Sequence, residues 1–126
     1  MADKTVAYNT DVAASATVDN ILQGTILATA PGFGQYHIYG RQETGVGTLI
    51  MSINVAGELC GEDLPINAAA GAPVKPDDHL ASVKVAQGDI VLVKLRETAG
   101  TATLPNIRIE FQEMSPAQLR MALAGR

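Results

Sequence analysis

The clearest periodicity in the chain runs over residues 82–114. Val83 and Val85 alternate with Lys84, Gln87-Gly88-Asp89 interrupts, and residues 90–95 are then almost continuously apolar and β-branched. Alternation predicts a strand with one wet face, and a continuous apolar run predicts a strand covered on both faces. Ala99-Gly100-Thr101 breaks the chain again, after which Ile107, Ile109 and Phe111 alternate with Arg108, Glu110 and Gln112. The three segments together predict an antiparallel meander that forms the central sheet.

Earlier segments repeat this pattern. In residues 35–42, QYHIYGRQ, Tyr36, Ile38 and Gly40 alternate with His37, Tyr39 and Arg41. After Gly45-Val46-Gly47, Leu49, Met51, Ile53 and Val55 alternate with Ile50, Ser52 and Asn54, so the two segments read as a second hairpin. Residues 18–30 carry Ile21, Leu22, Ile26 and Leu27 around Gly24, which favours two strand segments bent at the glycine. Residues 56–78 hold three prolines and three glycines and admit only a short edge strand over 64–68. About seven or eight strands at regular spacing predict an all-β antiparallel sandwich or jelly-roll-like barrel over residues 18–114.

The two ends read differently. Residues 1–17 lack a sustained period and predict an extended N-terminal arm, with a short strand near Val6 and Tyr8. Such an arm orders alone or against a neighbouring subunit, and its removal is expected to leave the fold intact but to weaken assembly. At the other end, Ser115-Pro116-Ala117-Gln118 has the capping residue, first-turn proline and returning glutamine of a helix start. Leu119, Ala122 and Leu123 line one face, and Gly125 ends a short C-terminal helix over residues 115–126. A helix of about nine residues is marginal by itself, so Leu119 and Leu123 are expected to dock it.

Composition narrows the function classes. Charged residues are only 17% of the 126, which hints at surfaces committed to partners, where Lys and Glu are depleted. The net charge of −4 and the absence of a basic run argue against nucleic acid. Apolar stretches are too short to span a membrane, and the first residues do not form a secretory leader.

No constellation in the chain demands a particular chemistry. His37 and His79 are the only histidines, each on its own segment, so no metal cluster is legible. Asp77-Asp78-His79 offers too few oxygen ligands for Ca²⁺ and reads as a solvated loop. Cys60 is a lone thiol without a legible base and reads as buried and structural. Gly32-Phe33-Gly34 lacks the third glycine and the helix of a dinucleotide site. Glu58, Glu62 and Asp63 share one turn-rich stretch, whereas a glycosidase pair sits on opposite sides of a bond. The chain is therefore not expected to be an enzyme or to hold a cofactor. Phe33, Tyr36 and Tyr39, three of the five aromatics, are the best candidates for a contact surface.

In style, the polar arm, the segment VKVAQGDIVLVKL, the strand NIRIEFQEM and the terminal SPAQLRMALAGR resemble the small capsid decoration (cement) proteins of tailed bacteriophages. That resemblance implies a β-sandwich homotrimer, made in the host cytoplasm and seated on the virion. There it would bind the major capsid protein through buried area and not through chemistry. The alternative is a carbohydrate- or receptor-binding sandwich. GFGQYHIY supports it and the lack of any Trp opposes it.

Overall fold

The computed structural model describes residues 4–43, 47–68 and 78–114. Among these the chain is all-β: β1 (Lys4–Tyr8), β2 (Thr17–Val18), β3 (Gly34–Gln42), β4 (Leu49–Val55), β5 (Glu58–Pro65), β6 (Asn67–Ala68), β7 (His79–Val85), β8 (Val91–Glu97) and β9 (Pro105–Glu113). The strands form two sheets. One runs β1-β9-β3, with β7 and the short β6 sharing the far edge of β3; the other runs β2-β8-β4-β5. All pairings are antiparallel except the two-residue contact of β3 with β6.

The inward faces make one core. Tyr36, Ile38, Val83, Val85, Ile107, Ile109 and Phe111 come from the first sheet. Leu49, Met51, Ile53, Val55, Val91, Val93 and Leu95 come from the second. Each buried aliphatic side chain contributes about 1.5–3 kcal/mol by leaving water. An exposed ion pair such as Arg96–Asp63, at 3.3 Å, contributes about 0–1 kcal/mol, so the core dominates. The arrangement is β-sandwich-like.

Connectivity departs from the expected meander. β7 and β9 lie in one sheet, on either side of β3, while β8 lies in the other beside β4. The expected hairpin of β3 with β4 is likewise absent, because those strands belong to opposite sheets. The physical reason is that a half-buried strand carries the same alternation whichever sheet it joins. β8 also shows strict alternation, with Leu92, Lys94 and Arg96 outward, so it is covered on one face only.

A hairpin does form between β4 and β5. Ala56 and Gly57 both have positive φ, 52° and 84°, as a two-residue turn of the primed type requires. The expected irregular stretch after residue 56 therefore holds an eight-residue edge strand. Cys60 sits on that strand and is exposed, not buried. Asp78 departs in the opposite sense: it is buried and bonded to Arg41 Nε at 2.5 Å.

The segment after β2 is a series of turns and not a bent strand pair. Asn20 Oδ1 accepts the N–H groups of Leu22 (3.0 Å) and Val93 (3.1 Å), which starts the turn and ties it to β8. Ile21, Leu22 and Leu27 are buried there, and the Leu27 carbonyl accepts the Tyr36 hydroxyl at 2.8 Å.

The N-terminal segment is stitched along the body from Lys4 onward. β1 pairs with β9 from Lys4↔Phe111 to Tyr8↔Ile107, and Val12, fully buried, exchanges backbone hydrogen bonds with Thr103. Residues 4–12 thus order on their own chain. The helix expected over residues 115–126, with Leu119 and Leu123, lies outside the described residues.

Glu97 binds these pieces together. Its Oε1 accepts N–H bonds from Ser15, Gly100 and Thr101 at 2.7–3.0 Å, and Oε2 accepts from Thr48 and Ala99 at 3.1 and 2.7 Å. These bonds, Ser15's first, hold the buried carboxyl at about 2 against an ordinary 4.5, although burial pushes the other way.

Candidate functional site

The two sheets turn contrasting faces to solvent. On the first, the registers of β9, β3 and β7 set side chains in cross-strand rows. Glu110, His37 and Ser82 make one row; Arg108, Tyr39 and His79 make the next. The second row depends on a bulge. β7 slips between Ile38 and Tyr39, so that Ile38 opposes Ala81 but Tyr39 opposes His79. Regular pairing would set Leu80 opposite Tyr39. Leu80 is instead displaced towards Gly40, where any Cβ would lie 2.9 Å from Leu80 Cδ1. The bulge thereby brings both histidines to one spot.

The hydrogen bonds at that spot converge. His37 Nδ1 lies 2.7 Å from Ser82 Oγ, and His79 Nε2 lies 2.8 Å from the same oxygen. His37 Nε2 lies 2.9 Å from Gln112 Oε1. With the proton of His37 on Nε2, Gln112 Oε1 accepts it and the Nδ1 lone pair turns to Ser82. The Ser82 hydroxyl then donates to His37 and accepts from His79. The ring of Tyr39 meets that of His79 edge-on at 5.4 Å, and Arg108 lies over Tyr39 at 5.6 Å. Arg108 Nε also meets Glu110 Oε2 at 3.3 Å.

On the second sheet the outward row across β5, β4 and β8 is Leu59, Asn54 and Leu92. Leu59 is 54% exposed, Leu92 41%, and Ile90, two residues before Leu92, 60%. Between the leucines, Asn54 Oδ1 is buried without a hydrogen-bond donor. Buried polar atoms in folded proteins nearly always have a partner; among the described residues Arg108 Nε, on the first sheet, is the other one without a hydrogen bond. The next rows along the same face form a polar cleft of about 320 Å³, lined by Thr17, Ser52, Glu62, Asp63, Lys94 and Arg96.

The three aromatics proposed as one contact surface are separated by the fold. Tyr36 is fully buried, in edge contact with Phe111 at 5.8 Å, and burial together with Asp89 pushes its hydroxyl up to about 12. Tyr39 lies on the opposite face, 9% exposed beneath its polar neighbours. Phe33 alone stands out, 47% exposed in the loop before β3. Tyr36, His37 and Tyr39 therefore do not line a common groove. Neither the Ser82 cluster nor the ledge is apparent in the sequence. Leu92 sits inside the near-continuous apolar run, and the bulge at Leu80 leaves no residue signature. No protein-family model matches this chain, and no curated protein matches it in sequence.

Proposed function

We propose that this chain is a structural protein of a many-copy assembly. It acts as a capsid decoration protein, trimeric and seated on the major capsid protein through protein–protein contacts. The observation that carries the proposal is the ledge of Leu59, Leu92 and Ile90 around the orphan Asn54 Oδ1. Exposed apolar groups gathered on one sheet face mark a contact surface, and a partner N–H would complete the asparagine. Covering half of one leucine contributes about 1 kcal/mol, which is weak for a single contact. Repeated over a lattice, such contacts add through multivalency.

Light scattering over a tenfold concentration range, with co-sedimentation on capsids of the encoding virus, tests this reading. A stable species of about three times the 13.1 kDa chain that pellets with capsids is expected. Leu59→Asp and Leu92→Asp should abolish pelleting and leave the thermal midpoint nearly unchanged, since exposed positions shift stability by about 0.5 kcal/mol. A monomer that ignores capsids would overturn the proposal.

The polar cleft beside the ledge favours a second reading, a glycan- or receptor-binding module. Ser52, Glu62, Asp63, Lys94 and Arg96 offer donors and acceptors suited to sugar hydroxyls. No aromatic platform stands among the lining residues, which ranks this reading second. Glycan-array binding lost in Lys94→Ala, together with indifference to capsids, would reverse the order.

A further inference from the structure

We propose that the cleft on the outward face of the second sheet binds a small zwitterion of the α-amino acid class. The Lys94 ammonium meets the ligand's carboxylate, and the Glu62 carboxylate meets its ammonium. The cleft holds about 320 Å³, at the lower end of the volumes that enclose small ligands. Its floor is Ser52, on β4. Lys94 flanks Ser52 directly from β8, and β5 brings Glu62 and Asp63 from the other side. One short side chain between longer charged ones makes the trough. This is the cleft of the second reading above, but the inference requires neither a sugar nor an assembly.

A bulge sets both carboxylates there. Met51 pairs with Leu64 and Ile53 with Gly61, so Glu62 and Asp63 on β5 together oppose the single residue Ser52. In a regular strand neighbouring side chains alternate between faces. Here Asp63 takes a left-handed φ of 52°, and both residues line the same cleft. The Asp63 N–H donates to Ser52 Oγ at 3.2 Å, which ties the bulge to the floor.

The charges in the cleft divide into a closed pair and an open one. Arg96 meets Asp63 at 3.3 Å. Lys94 and Glu62 take part in no hydrogen bond or ion pair among the described residues. One open ammonium and one open carboxylate suit a ligand with one charge of each sign, whereas a simple anion or cation would face its own sign on one wall. The span agrees. Lys94 and Glu62 stand on strands separated by β4, about 10 Å apart as two strand spacings. Two charge-assisted hydrogen bonds of about 2.8 Å leave about 4 Å, which an ammonium and a carboxylate on one carbon bridge. A sugar would instead call for an aromatic platform, which the lining lacks.

Amide NMR of the full chain titrated with glycine tests the proposal, with sodium acetate and methylammonium chloride as single-charge controls. Saturable shifts at Ser52, Glu62 and Lys94 are expected with glycine and not with either control. Lys94→Met and Glu62→Gln should each weaken binding by about tenfold, as the loss of one hydrogen bond to a charged group implies. Both positions are exposed, so the variants are expected to fold, and the wild-type shift map decides the matter even where one does not. Shifts that fail to saturate, or that acetate or methylammonium reproduces, would overturn the site. So would binding that survives both substitutions. Capsid pelleting and glycan-array binding are separate readouts, so the failure of either reading above is distinguishable from failure of this one.

Discussion

Glu97 and Ser82 are both polar hubs on strands, and they differ in who answers them. The Glu97 carboxylate is buried, and five backbone N–H groups from three separate segments satisfy it. The Ser82 hydroxyl is exposed and is answered by two imidazoles, with a glutamine behind one of them. Backbone donors are locked by the fold, so the first hub has nothing to give a ligand and serves the structure. Imidazoles can exchange protons and partners, so the second keeps capacity for chemistry. A polar cluster is therefore read by the mobility of its partners as much as by its residue types.

The largest effect is expected at Glu97. Glu97→Gln sets an amide N–H₂ against the N–H groups now bonded to one carboxylate oxygen, and the protein should lose stability at pH 7 more than with any other single change discussed. The pH dependence follows from the depressed value. With the folded group at about 2 and the ordinary value 4.5, the unfolded chain binds the proton first. The stabilisation is complete above the ordinary value and disappears as pH falls through the folded one. Urea unfolding between pH 7 and 2 should show a decline in the wild type that is flatter in Glu97→Gln. Parallel slopes would mean that the carboxylate is not the hub it resembles.

A smaller loss is expected at Gly47, where a Cβ would run into Glu97 Oε2 and Thr103 Oγ1. Gly47→Ala should cost about 1–3 kcal/mol by overpacking, visible as a lower urea midpoint with an unchanged slope. Unchanged stability there would show that the Glu97 hub can give way. The smallest effect belongs to the other hub. Ser82→Ala should change stability by about 0.5 kcal/mol or less, yet shift the imidazole resonances of both histidines. A loss comparable to that of Glu97→Gln would erase the distinction between the hubs.

Much of the fold was legible because burial imposes period two. Tyr36 and Ile38 against His37, and Ile107 and Ile109 against Arg108, sort correctly into inner and outer faces. Residues 21–28 misled because Ile21, Leu22 and Leu27 are buried in turns, where apolar content carries no strand period. β5 was hidden by its exposure: an edge strand with little buried surface has no alternation to display. Its turn did leave a trace, since a two-residue link with glycine second is a hairpin signal. Of the three aromatics expected on one contact surface, Phe33 is exposed, whereas Tyr36 is buried in the core and Tyr39 is largely covered on the opposite face.

The sequence by itself determined that the body over residues 18–114 is built of β-strands, which residues of most strands face inward, and that its core rests largely on aliphatic side chains. Only the tertiary structure decided that β8 leaves its neighbours for the opposite sheet and that Lys4–Tyr8 completes the first sheet. It alone placed two histidines, 42 residues apart in the chain, against one serine. The reason lies in what each signal encodes. Alternation records whether a side chain meets water or core, and any sheet neighbour satisfies it equally. The pairing is chosen by long-range closure through backbone groups that are the same in almost every residue, and a one-residue bulge within it changes which side chains meet.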